Sequence, residues 1–212
     1  MSPESPREAL VREALRLHQR YQRELIERFS ICPWARPARS EEHVRAHVVV
    51  DVVVAARELA PVVDEWASDD RAEVAFIIAP RFEGSPGNFA AWSEEVGALR
   101  DDVFLSAPFH PEPGDSSGTI QLLRQTPDPT VQLVRRARLD EIRAQDPPHY
   151  TDIFKLDLSE LQAGKPPRTV AASVLAHNDR LVEREGRATL QSIIDEIDGD
   201  RDGTYARIFP LL

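Results

Sequence analysis

Residues 103–136 read VFLSAPFHPEPGDSSGTIQLLRQTPDPTVQLVRR, and the fold is read outward from this stretch. It opens on a short apolar run, Val103-Phe104-Leu105, with the composition of a buried strand. The run leads into Ser106-Ala107-Pro108-Phe109-His110-Pro111, where prolines stiffen the backbone on both sides of a histidine. After a Gly/Ser/Asp turn over residues 114–118, the chain returns twice, at 119–124 and 130–136, on either side of the rigid Thr126-Pro127-Asp128-Pro129. Both returning segments are short enough for antiparallel strands, and the second also suits the opening of a helix running through Ile142. A buried strand ending in a polar, proline-fixed loop, with arginines on the returning chain, suits a site better than a core.

Upstream, residues 73–79 form a continuous apolar strand around Val74-Ala75-Phe76-Ile77-Ile78, the pattern of a strand covered on both faces. Residues 43–51 alternate, with Val44, Ala46, Val48 and Val50 on one side. Between the strands lie two helices, 53–67 and 88–99, the second capped by Asn88. Strand–helix–strand–helix–strand predicts 43–51, 73–79 and 103–108 as neighbouring parallel strands in one sheet. The fold class is α/β (α+β): a single mixed sheet with a parallel βαβαβ core and added antiparallel strands.

Residues 4–30 read as an amphipathic helix, with Leu10, Ala14, Leu17, Tyr21, Leu25 and Phe29 at three- and four-residue steps. Ser5 and Glu8 supply a capping box, and Pro33 ends the helix near Ser30. His18 falls one residue off the apolar stripe and reads as a flank residue. Beyond the core, Pro147-Pro148 is a break, 153–158 an edge strand, and 164–167 a loop. Residues 169–197 are helical with an interruption at Gly186, 198–203 an acidic, turn-rich tail, and 205–212 an apolar segment that docks. The expected organisation is one domain: N-terminal helix 4–30, core 43–160, C-terminal helices 169–197 and tail 198–212.

At 212 residues the chain can bury one good core. A net charge of −10 argues against nucleic acid as a partner, because phosphate binding needs a basic surface. Local clustering of arginines leaves an anionic small molecule as the partner to expect. Cys32 is the single cysteine, which excludes an internal disulfide and a Cys-rich zinc site and suits a reducing compartment. The polar start of the chain has no signal-peptide run, and no apolar run approaches the roughly 20 residues that span a bilayer. A cytoplasmic protein away from membranes is expected.

Cys32 and His110 are the candidate catalytic pair, nucleophile or redox thiol and base. Cys32 follows a helix C-terminus, whose dipole raises a thiol pKa, so Arg36 and Arg39 would have to offset it. An extended path through 33–42 brings Cys32 to His110 at the far end of the sheet. Arg124 and Arg135 would anchor an anionic group, with Phe109 and Asp128 lining the site. Alternation puts Arg135 on the face of Leu133 and Arg136 on the other. No metal site is expected: a variant using Cys32, His110 and Asp128 is the weaker reading. No cofactor is specified. The alternative is a non-enzymatic binding domain in which Cys32 and His110 only pack. Three further patterns are set aside. The Gly114–Gly118 stretch is a turn rather than a protease loop, Gly84-Ser85-Pro86-Gly87 lacks phosphate-loop spacing, and residues 195–202 lack the closing Glu of a calcium loop.

Three segments together resemble a bacterial family known as domain of unknown function 1415. Cys32-Pro33-Trp34-Ala35 is similar to its Cys-Pro-Phe-Ala motif, and Ser106-Ala107-Pro108-Phe109-His110-Pro111 to its Ala-Ser-Phe-His-Pro segment. Thr126-Pro127-Asp128-Pro129 with Val131-Gln132-Leu133-Val134-Arg135 resembles its Ser-Pro-Tyr-Pro and His-Leu-Leu-Arg. The likeness spans residues 10–195 in element order, with strong matching confined to the motifs. Here Arg124-Gln125 stands for the family's Asn-Arg, Asp128 for its Tyr and Gln132 for its second His. The resemblance implies a fold and a set of positions, and stops short of any activity resting on that His or Tyr.

Overall fold

The computed structural model describes residues 4–52, 54–112, 118–144 and 170–212. The expected features at 147–148, 153–158 and 164–167, and most of the 114–118 turn, lie outside the described residues.

The first helix, α1 (Pro6–Tyr21), starts as its sequence dictates: the Ser5 hydroxyl accepts the Glu8 N–H, and the Glu8 carboxylate accepts the Ser5 N–H at 2.8 Å. It continues as a π-helical turn, Gln22–Glu27, and stops at Ser30, whose φ of 53° no helix can carry on. A short helix, α2 (Ala35–Ser40), leads to the sheet.

The sheet holds β1 (Val44–Val48), β2 (Val74–Ile78), β3 (Phe104–Phe109) and β4 (Thr130–Arg135), in the order β1-β2-β4-β3. β1 pairs parallel with β2, and β4 runs antiparallel to both of its neighbours, giving one mixed α+β sheet. β1, β2 and β3 therefore point the same way, but β3 is not the neighbour of β2. β4 is inserted between them. Pro108 gives the physical reason. It has no N–H to share with two neighbours, so β3 fits an edge, whereas β4 buries Thr130, Val131 and Leu133 at the centre.

Residues 119–124 are helical rather than extended: α5 (Thr119–Leu123) buries Leu122 and Leu123 among helices. The segment 130–136 takes both forms read for it, strand to Arg135 and then helix α6 (Arg136–Ala144). The crossover helices are α3 (Ala60–Ser68), entered through a 3-10 turn at Ala56–Leu59, and α4 (Pro86–Gly97). Ser85, not Asn88, caps α4: its hydroxyl accepts the Asn88 N–H at 3.2 Å.

Sheet alternation sorts the core. Ala75, Ile77, Phe104, Val131 and Leu133 face Val63, Trp66, Phe89 and Val96 of α3 and α4. Phe76, Ile78 and Val48 face Ala14 of α1. Burying one side chain of the size of Phe89 contributes about 1.5–3 kcal/mol. Behind α1 lies a helical layer built with α7 (Val170–Glu185) and α8 (Arg187–Ile208), joined at Gly186, whose φ of 84° suits glycine. The expected acidic tail over 198–203 is instead part of α8. Arg16 and Arg20 grip its Asp200 at 2.7 and 2.6 Å, and the expected apolar docking segment 205–212 is buried only at Tyr205 and Ile208, while Phe209, Leu211 and Leu212 are exposed.

His18 is inside the protein, not on a flank. Its ring lies 4.4 Å from the Phe76 ring, 5% of the residue is exposed, and its Nδ1 is buried without a partner among the described residues. Burial holds its pKa down to about 4, so the native ring stays neutral while the unfolded ring protonates near 6.5. Its contribution is complete above pH 6.5 and is lost as pH falls toward 4, because only the unfolded state takes up the proton in that window. Urea titrations of the wild type should show about 3 kcal/mol more loss between pH 6.5 and 4 than those of His18→Leu.

Candidate functional site

The C-terminal end of β3 gathers the polar residues that the sequence singled out. The His110 backbone N–H donates to the Arg124 carbonyl at 3.2 Å, tying the loop after β3 to the end of α5. The His110 ring packs 5.8 Å from Phe89, and its Nδ1 accepts the Glu112 N–H at 3.1 Å. Burial holds its pKa below the ordinary value, helped by the charge of Arg201 and opposed by Glu112. The ring is thus neutral at neutral pH with its proton on Nε2, which makes Nε2 a hydrogen-bond donor rather than a ready base.

Arg124 projects its guanidinium over the Phe109 ring, 5.4 Å from the centroid. Among the described residues it is half-buried and bonds neither a carboxylate nor a carbonyl, unlike the comparably buried Arg16, Arg20, Arg45, Arg100, Arg138 and Arg201. An unspent cation is conspicuous in a chain of net charge −10.

Asp128 is 1% exposed and bonded on both oxygens, by Arg201 Nε at 2.9 Å and by the Tyr205 hydroxyl at 2.7 Å. Burial raises its pKa, and these two donors oppose the rise. The proline-fixed loop is shaped by its own threonines: the Thr126 and Thr130 hydroxyls both donate to the Asp128 carbonyl at 2.8 Å. Beside it, Asp198 has a buried Oδ1 with no partner among the described residues, and its pKa is pushed up to about 6. Burial is the main cause, and the carboxylates of Asp202, Asp195 and Asp128 add to it against Arg201. Further along α8, the Gln191 amide donates to Gln125 at 3.1 Å.

Two expected members stand apart. Arg135 lies at the other end of the sheet: it pairs with Phe104, whereas Phe109 pairs with Thr130, a separation of about 17 Å along the strands. Its guanidinium is spent on the carbonyls of Ala72, Trp66 and Asp69 at 3.0, 2.9 and 2.7 Å, beyond the end of α3. Cys32 packs against the helical cluster, and no hydrogen bond joins its sulfur to His110. Burial raises its thiol pKa, although the backbone N–H groups of Trp34 and Ala35 face the sulfur. The arginines read as its activators are engaged elsewhere: Arg39 holds both oxygens of Glu27 at 2.6 and 2.8 Å, and Arg36 donates to the Glu27 carbonyl. Tyr21, whose hydroxyl donates to the Leu123 carbonyl, feels the charges of Arg124 and Cys32, and burial raises its own pKa.

Sequence reasoning missed Asp198, Arg201 and Tyr205. The signal was present: Leu190, Ile194, Ile197, Tyr205 and Ile208 keep helical spacing through the acidic run, with Asp198, Arg201 and Tyr205 on one adjoining stripe. Among the described residues no group of three or more His, Cys, Asp and Glu side chains could hold a metal ion, and no helix is long and apolar enough to cross a membrane. Compared with known proteins, the chain matches no family model, no curated protein and no solved structure.

This geometry sets the outcome of two measurements. Tyr205→Phe should lower stability by about 1.5–3 kcal/mol in urea, the worth of a hydrogen bond to a buried charge. Iodoacetamide should modify Cys32 of the folded protein at pH 7 more slowly than it modifies the same thiol in urea.

Proposed function

We propose that this protein is a small-molecule enzyme that holds an anionic substrate at the end of β3. Arg124 is the anchor for the anionic group, and the Phe109 ring fixes the guanidinium plane beneath it. His110 Nε2–H is a neutral donor to developing charge, and Asp198, with a carboxyl pKa of about 6, is the group that exchanges protons near neutrality. Asp128 holds Arg201 and Tyr205 in place beside them. The observation that carries the reading is the half-buried Arg124 guanidinium with no carboxylate or carbonyl of the described chain on it. The resemblance to the domain of unknown function 1415 family points to the same loops, since its second and third motifs contain Phe109, His110 and Asp128.

The thiol–imidazole mechanism receives no support from a Cys32 whose burial raises its pKa and which has no bond to His110. That observation favours a second reading, a non-enzymatic binding domain using the same anion anchor.

Titrating succinate and inorganic phosphate into the protein by calorimetry checks the anchor. Arg124→Gln should weaken binding about tenfold or more, the loss of one charge-assisted bond, and Arg135→Gln should leave it unchanged. Equal affinity in wild type and Arg124→Gln would sink the reading. Incubation with pooled carboxylates and phosphates, followed by mass spectrometry, separates the two classes. Turnover lost in Asp198→Asn with binding retained marks an enzyme, and binding without turnover marks a binding domain.

A further inference from the structure

β1 is an outermost strand of the sheet, with β2 on one side and no strand on the other among the described residues. Its bonding register shows which groups are left over. The Val49 N–H donates to the Ile78 carbonyl at 2.8 Å, and the His43 carbonyl accepts the Val74 N–H at 3.2 Å. The odd-numbered residues of β1 therefore face β2, and the N–H and C=O groups of Val44, Ala46 and Val48 point away from the sheet. Among the described residues, only the Val44 carbonyl of these has a partner, the Arg45 guanidinium, which also bonds Asp69. Ala46, at the middle of the strand, is exposed. Such an edge is a template for another strand, and folds blunt it with proline, a bulge or a covering element. β3, at the opposite edge, carries Pro108; β1 carries no proline and pairs with β2 without a break.

We propose that the open edge of β1 is the interface of a two-fold homodimer, in which Val44–Val48 pairs antiparallel with Val44–Val48 of a second copy. Three observations point to a second copy rather than another chain. The outward-bonding positions read Val-Ala-Val in either direction, so one register sets Ala46 opposite itself and Val44 opposite Val48. The small side chain falls on the two-fold axis, where bulk would meet its own image. The third observation lies on the sheet face that α1 covers. There Val11 and Leu15 of α1, with Val48 and Val50, line an open groove of about 850 Å³ beside the edge. Pairing across the axis places the two α1 helices on the same face of one continuous sheet, running antiparallel. The groove rim carries Arg12 and Arg16 together with Glu8, and an antiparallel copy sets the cations of one α1 toward the acid of the other. On the opposite face the same register puts Arg45 across from His47, whose burial holds its pKa below the ordinary value, so the ring is an uncharged neighbour at neutral pH.

Sedimentation and light scattering of the full-length protein at about 50 μM read the oligomeric state at a concentration that populates an interface of micromolar Kd. Wild type should have twice the mass of one chain. Ala46→Pro removes the N–H at the axis, and Ala46→Asp sets two like charges against each other there. Each should weaken the dimer about tenfold or more while the circular dichroism of the fold is kept. Directly opposed, hydrogen-bonded residues of antiparallel strands have Cα atoms about 5.5 Å apart, within disulfide reach. Ala46→Cys should therefore cross-link to a covalent dimer under mild oxidation, and Glu95→Cys, exposed on α4, should not. A monomeric wild type would overturn the proposal and leave the edge to an extended peptide of another protein. A dimer that survives Ala46→Asp, or that Ala46→Cys fails to cross-link, would overturn it by placing the interface elsewhere.

Discussion

The buried carboxylate of Asp128 holds this structure together at its functional end. Taking an ionised carboxylate out of water costs several kcal/mol, and that cost is offset only when the remaining lone pairs are filled with good geometry. Here Arg201 and Tyr205 fill them, from a helix more than seventy residues further along the chain. The same residue's carbonyl takes two threonine hydroxyls, and the Pro129 carbonyl takes the Ala79 N–H at 2.8 Å beyond the end of β2. One residue thus fixes the loop before β4, the insertion of β4 beside β2, and the docking of α8. Charge pairing also gives α8 a register that apolar packing alone leaves loose. A slide by one turn leaves the Asp128 carboxylate buried without Arg201 and Tyr205, and no repacking of apolar side chains offsets such a charge.

The elements legible in the sequence were those whose signals are local. The capping box at Ser5, the Pro33 stop, the apolar run of β2 and the Gly186 interruption each rest on residues a few positions apart. Sheet order was not local. That β4 lies between β2 and β3 depends on Pro108 keeping β3 at an edge and on the burial of β4, neither of which is visible as periodicity. The segment 119–124 reads as a strand from its composition, and its helix exists because Leu122 and Leu123 bury against distant helices. His18 went unseen for a related reason. A 3.6-residue stripe is wide, and a residue at its margin is buried or wet according to what the sheet presents, here Phe76.

The site was half legible. Proline-fixed loops pointed to His110 and Asp128, and both lie at one end of the sheet. Arg135 matched the same motif, but strand register carries it to the other end, where backbone carbonyls beyond α3 consume its donors. The acidic run at 195–202 looked solvated because acids outnumber its single arginine there. Folding divides those acids between two faces: Asp200 goes to Arg16 and Arg20, and Asp198 goes to the loop side. That division requires a partner helix, and no composition rule supplies one.

Packing and chemistry separate at this end of the molecule by whether polar atoms are satisfied. Asp128, Glu27 and Asp200 have partners on both carboxylate oxygens. Asp198 Oδ1 and the Arg124 guanidinium are not satisfied by the described chain. Natural sequences tolerate such local violations where something outside the fold completes them. The two groups differ in kind: one is a cation and the other a titratable acid. A single anion satisfies the first alone.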